Sequence, residues 1–113
     1  MSDCLFCKII NGEIPSTKVY EDERTYAFRD IHPMMPTHVL VVPKQHLASL
    51  AESDKAGDDV LAACLRACAN VAKLEGLTNG FRVVSNCGDD ACQSVHHLHF
   101  HVLGGGKMSE KMN

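Results

Sequence analysis

Apolar positions fall into two distinct periods along this chain. Across residues 58–75, Val60, Leu61, Cys64, Leu65, Cys68, Val71 and Ala72 recur at helical spacing, which predicts a helix that buries one face on a sheet. Gly76 supplies its C-terminal stop. A much shorter helix is expected over residues 4–10, capped by Asp3 and followed by Gly12, with Leu5, Phe6, Ile9 and Ile10 on neighbouring faces. Two β-prone runs, 18–20 and 25–28, flank the polar bend Glu21-Asp22-Glu23-Arg24 in the pattern of a hairpin. The run THVLVVP at 37–43 is apolar and β-branched, so it predicts a buried central strand, and Pro43 ends it because it has no N–H to donate to a ladder. FRVVSN at 81–86 and VHHLHFHVL at 95–103 read as two more strands, joined by a polar, Gly-containing loop over 87–93. Several strands, one long helix and few alternating βα units point to an α+β fold on an antiparallel sheet of about five strands.

Composition narrows the setting without changing that picture. At 113 residues, with no Pro- or Ser-rich break, the chain is expected to be one domain over 1–113. A formal charge of −3 with interspersed signs gives no basic face, so neither nucleic acid nor an anionic membrane is an expected partner. The N-terminal MSDCLFCKII lacks the features of a leader, and no apolar run approaches the roughly eighteen residues that span a bilayer, so a cytoplasmic location is expected. In that compartment the six cysteines are expected as thiols or metal ligands rather than disulfides.

The chemistry concentrates in QSVHHLHFHVL at 93–103, which carries four of the seven histidines. Strand alternation would put His97, His99 and His101 on one face and His96, Leu98, Phe100 and Val102 on the other. A lone histidine there would read as a hydrogen-bonded core residue, but three in a row need several matched partners that Val or Ile would not need, which favours chemistry. Two chemistries fit: a metal centre that activates water, or covalent catalysis on phosphorus by one imidazole, with partly charged neighbours stabilising phosphoryl oxygens. Asn86, Gln93 and Ser94 offer donors for a phosphate nearby, which favours the second. Cys4 and Cys7 form a CxxC that is compatible with a redox pair, two core thiols or half a metal site. Cys64 and Cys68, one helical turn apart, read as core, and Cys87 and Cys92 as loop thiols.

HLHFHVL, preceded by QSV, resembles the His-φ-His-φ-His-φ-φ signature (φ apolar) of the histidine triad (HIT) superfamily. The segments LFCKIINGEIP, YEDERTYAFRDI and PTHVLVVPKQH extend the resemblance, in order, to the Hint-like branch of nucleoside phosphoramidate hydrolases. What the resemblance implies is a HIT-like fold acting on a purine nucleoside monophosphate or its phosphoramidate. In it His99 would be the nucleophile, His101 the phosphoryl binder, His97 the third member of the triad, and Ser94 a helper at the leaving group. Asp30 would hold the ribose hydroxyls, Leu5, Phe6, Phe28 and Ile31 would wall the base, and Asn86 and Gln93 would stand on the phosphate side. For Phe6 and Phe28 ordinary core packing is an equal alternative, and His38 would either brace the triad or sit in the core. Relatives complete a structural zinc site from such a CxxC with two histidines, here His46 and His97; otherwise His97 would support the triad through hydrogen bonds alone. No organic cofactor is implied, and a homodimer is expected. Cys92 departs from a frequent Gly, Asp89 and Asp90 put negative charge in the phosphate-side loop, and the tail GGGKMSEKMN lacks a Trp- and Pro-containing ending, all of which bear on the leaving group. The alternative functions are dinucleoside polyphosphate hydrolysis or nucleotidyl transfer, a nucleotide-binding scaffold with incidental turnover, and a zinc hydrolase.

Overall fold

The computed structural model describes residues 3–112. Along the chain run α1 (Leu5–Ile10), β1 (Lys18–Glu21), β2 (Thr25–Arg29), β3 (Thr37–Pro43), α2 (Asp58–Leu74), β4 (Phe81–Val84) and β5 (Phe100–Gly104), with short 3-10 turns at Leu50–Lys55 and Asp89–Ala91. The strands form one antiparallel sheet in the order β1-β2-β3-β5-β4. This is the α+β architecture expected from the sequence, with β3 at its centre.

Every residue of β3 is buried because the sheet is covered on both faces. Val39 and Val41 point to one side, where Ala27, Phe100 and Val102 join Cys64, Ala67, Cys68 and Val71 of α2. Leu40 and Val42 point to the other, where Phe28 meets Phe6 and Ile9 of α1. A strand covered on both sides has no polar face to alternate with, hence the unbroken apolar run. Asp22 shapes the β1–β2 bend by accepting the Arg24 and Thr25 N–H groups at 2.8 and 2.7 Å. Arg29 at the end of β2 makes a two-pronged pair with Glu75 beyond α2, both contacts at 2.8 Å.

Two expectations change. The N-cap of α1 is Cys4 rather than Asp3: the helix starts at Leu5, and the Cys4 sulfur accepts the Cys7 N–H at 3.3 Å. The last strand starts at Phe100, later than expected. Leu98 N–H donates to Leu47 O at 2.6 Å rather than to a neighbouring strand, which holds the segment before Phe100 outside the ladder. Gly76, at φ +69°, ends α2 in the left-handed conformation as anticipated. All six cysteines are free. Among the described residues no helix is long and apolar enough to cross a membrane.

Candidate active site and metal cluster

The histidines keep their expected face even where the strand is absent. Leu98, Phe100 and Val102 pack into the α2-side core, so His97, His99 and His101 turn towards α1. Phe6 stands edge-on to His99 with ring centres 5.1 Å apart, and His101 follows 5.2 Å from His99.

Hydrogen bonds assign the proton on each ring. His99 Nδ1 lies 2.7 Å from the His97 carbonyl oxygen. A carbonyl only accepts, so Nδ1 carries the hydrogen and the lone pair of neutral His99 resides on Nε2. His38 Nδ1 accepts the Met34 N–H at 3.0 Å, which places the His38 hydrogen on Nε2, 2.8 Å from His101 Nδ1. His101 Nδ1 is then the acceptor, and its own hydrogen sits on Nε2. Burial pushes the His101 pKa down to about 4, helped by His99 and His38 and opposed by Asp30. Burial also lowers the pKa of His38 against the pull of Asp30. The expected partly charged neighbour is therefore a neutral ring at pH 7 that offers its Nε2–H as a hydrogen-bond donor. Asp30 accepts the His32 N–H at 2.8 Å through one oxygen and lies 3.4 Å from His38 Nε2 through the other.

His99, His101 and Asp30 open onto a cleft of about 720 Å³, with His38 and His97 outside its lining. Leu5, Phe6, Phe28, Asp30, Ile31, Ser94, His99 and His101, all named from the sequence, line it. Asn86 and Gln93 are not among its lining residues. The Gln93 amide is occupied within its own loop, accepting from Gly88 N–H and donating to the carbonyls of Ala48 and Val95. Pro15, Ser16 and Thr17 form a cleft wall that sequence reasoning missed, as did His32 near Asp30. The 15–17 stretch carries no motif, and only the pairing of β1 with β2 brings it to the cleft. Ser16 and Tyr26 hydroxyls pair there at 2.9 Å.

Behind the triad, Cys4, Cys7, His46 and His97 converge with all four donor atoms within 4.8 Å of one another. Sulfur-to-Nδ1 distances are 3.3 Å for Cys4–His97, 3.4 Å for Cys7–His46 and 3.6 Å for Cys7–His97, and the two Nδ1 atoms are 3.1 Å apart. A tetrahedral zinc with Zn–S of about 2.3 Å and Zn–N of about 2.05 Å needs S···N edges of about 3.5 Å and an N···N edge of about 3.3 Å. The cluster matches these spacings. His97 Nε2–H donates to Pro43 O at 2.8 Å, which leaves Nδ1 as the free ligand atom. Without metal, burial and the neighbouring Cys4 raise the Cys7 thiol to about 11, and burial lowers His97 to about 4. A bound cation would favour the Cys7 thiolate and use the neutral imidazole of His97. The four side chains thus form a site that can hold one zinc ion. Cys64 and Cys68 are remote from it, with thiols pushed up to about 12 and about 11 by burial in the α2-side core.

Comparison with known proteins agrees with the geometry. The family model described as "HIT domain" matches residues 11–108. A 14 kDa zinc-binding protein of Zea mays is 50% identical over 110 residues, which cover 96% of this chain and 86% of that protein. Adenylylsulfatase HINT1 of Arabidopsis thaliana is 46% identical over 110 residues, covering 96% and 75% respectively. The solved structure of a HIT family hydrolase from Clostridium thermocellum superposes with a TM-score of 0.95 at 44% identity, covering 100% of this chain and 99% of that one.

Proposed function

This chain belongs to the HIT domain family, and from that premise we propose that it is a nucleotide-binding hydrolase that cleaves the P–N bond of purine nucleoside 5′-phosphoramidates through a nucleotidyl-His99 intermediate. The observation that carries this reading is the 2.7 Å bond from His99 Nδ1 to the His97 carbonyl. It leaves the Nε2 lone pair of a neutral imidazole as the nucleophile, and the carbonyl dipole supports the positive charge that the ring takes on when Nε2 bonds to phosphorus.

In the first step Nε2 of His99 forms a bond to phosphorus while the P–N bond breaks. The departing nitrogen takes up one proton, delivered from solvent through the hydroxyl of Ser94, which lines the cleft, and leaves as a neutral amine. His101 Nε2–H donates to a phosphoryl oxygen, where the neutral ring described above suits the task. Water then attacks phosphorus, releasing the nucleoside monophosphate and restoring His99. Asp30 keeps lone pairs available for the two ribose hydroxyls, and Leu5, Phe6, Phe28 and Ile31 enclose the base. Zinc, when bound, would be held by Cys4, Cys7, His46 and His97 and would supply structural support. A closed four-ligand set offers no open position for water, which argues against a zinc hydrolase.

A second reading, hydrolysis of an adenylyl sulfate, is favoured by the name of the Arabidopsis relative. Amine release from adenosine 5′-phosphoramidate and sulfate release from adenylyl sulfate, measured with the wild type and with His99→Asn, separate the two. Phosphoramidate turnover that falls by several orders of magnitude in the variant supports the first reading. Turnover confined to adenylyl sulfate supports the second, and equal rates in both proteins remove His99 from its role.

A further inference from the structure

A row of side chains that crosses the sheet floors the cleft. His101 on β5 stands opposite Leu40 on β3, and Leu40 stands opposite Phe28 on β2, and all three line the cleft. The chain just before β1 extends the row. Arg29 N–H donates to Thr17 O at 3.0 Å, which carries the β1–β2 pairing past Lys18 and lays residues 15–17 beside Arg29 as a far wall. Three strand spacings separate β5 from that wall, a span of about 14 Å at about 4.8 Å each. An extended nucleoside monophosphate suits that span: with phosphorus at His99 and ribose at Asp30, the base lies over Phe28 and turns its outer edge to residues 15–17.

The wall presents one oriented hydroxyl to that edge. Ser16 lines the cleft, and its Oγ is 2.9 Å from the hydroxyl of Tyr26, which stands behind it. Tyr26 is in turn held by packing in the α1-side core, with its ring centre 5.9 Å from that of Phe28. The neighbouring Arg29 is committed to Glu75 through both nitrogens. Either hydroxyl of the pair can be the donor, and this freedom decides what the wall accepts. With Tyr26 donating to Ser16, Ser16 gives its own hydrogen to a carbonyl such as the 6-oxo group of guanine. With Ser16 donating to Tyr26, a free lone pair accepts from the 6-amino group of adenine. A pyrimidine is shorter by one ring, so its edge stops short of Ser16 and leaves the hydroxyl to water.

We propose that Ser16, oriented by Tyr26, is a specificity-determining residue that selects purine over pyrimidine nucleotides through the 6-substituent of the base and accepts adenine and guanine alike. This rests on the reading of the cleft as a nucleotide site with its phosphate at His99.

The test measures Kd by calorimetry for AMP, GMP, CMP and purine riboside 5′-monophosphate, a purine nucleotide that lacks a 6-substituent. The proteins are the full-length wild type, Ser16→Ala and Tyr26→Phe. Ser16 is exposed, so its truncation leaves the core intact, and phenylalanine keeps the ring of Tyr26. One neutral hydrogen bond contributes roughly 3- to 10-fold in affinity, so Ser16→Ala should weaken AMP and GMP by that factor and leave the other two nucleotides within about twofold. Tyr26→Phe should weaken AMP and GMP by about twofold or more. Equal weakening of AMP and purine riboside monophosphate in Ser16→Ala overturns the proposal, because a merely structural loss is blind to the 6-substituent. So does a wild type that binds CMP as tightly as AMP, and wild-type affinities in Tyr26→Phe overturn the role given to the tyrosine. Nucleotides that bind as expected without phosphoramidate turnover would remove the hydrolase reading and leave Ser16 its role, whereas no nucleotide binding at all removes both.

Discussion

Replacing His38 by asparagine or by glutamine separates its two hydrogen bonds. In the wild type Met34 N–H donates to Nδ1 at 3.0 Å and Nε2 lies 2.8 Å from His101 Nδ1. The asparagine carbonyl falls near the place of Nδ1 and keeps the Met34 bond, whereas the glutamine amide nitrogen reaches the place of Nε2 and keeps a donor for His101. His38 is 5% exposed, so water is poorly placed to substitute. In the asparagine variant His101 Nδ1 is left buried without its donor, a cost of about 1–3 kcal/mol. The ring relieves it by moving its proton to Nδ1, away from the nitrogen that faces substrate. At about 1.4 kcal/mol per decade this predicts a fall in kcat/KM of roughly 5- to 140-fold for His38→Asn. His38→Gln should stay within about fivefold of wild type. Steady-state hydrolysis of adenosine 5′-phosphoramidate, with thermal melting as a check on folding, measures both. An asparagine variant more active than the glutamine one, or two variants at wild-type level, would refute the tautomer assignment.

Acid should destabilise the protein through His101. Its folded pKa of about 4 lies below the ordinary 6.5, so the unfolded chain binds the proton first, and stability that is full above pH 6.5 is lost as pH falls towards 4. After allowance for solvent screening, wild type should lose about 1–2 kcal/mol more than His101→Asn over that window, read by urea unfolding at each pH; parallel curves would sink the argument. Val71→Ala, at a fully buried contact between α2 and the sheet, should cost about 2–3 kcal/mol in the same assay, and a loss under 1 kcal/mol would mean that the helix is not docked as described. Purified protein should carry one zinc per chain by elemental analysis, falling towards zero in Cys7→Ser; equal content in both would remove Cys7 from the ligand set.

Much of the fold was legible because periodicity reports burial directly. The bounds of β3 agree at both ends, since an apolar β-branched run closed by Pro43 has few other uses. The extent of α2 differs by one residue, because apolar spacing and Gly76 mark the same end. The start of β5 was not legible: 95–99 has strand-like composition, and it leaves the ladder through one long-range bond, Leu98 to Leu47, that no local pattern encodes. Cys4 replaced Asp3 as a cap because a thiol in a metal cluster is not in the usual repertoire of capping groups. At the site, the HxHxH spacing placed three rings on one face even without a regular strand. Which nitrogen of each carries hydrogen depends on the His97 carbonyl and the Met34 amide, contacts that the spacing of the histidines does not encode. Gln93 was expected at the phosphate by its neighbourhood, yet its amide is consumed in holding its own loop.

The strand order also bears on how the chain is made. The first three strands are neighbours in sequence and in space, so the meander β1-β2-β3 can assemble as it emerges from the ribosome. Strand β3 then waits with one bare edge until residues 100–104 arrive, after α2 and β4 have been made. The N-terminal CxxC waits as long, because its partner His97 lies 93 positions from Cys4. Nascent chains stalled before β5 should accordingly be the species most dependent on chaperones, and nucleation is expected in the hairpin rather than at the histidine-rich end.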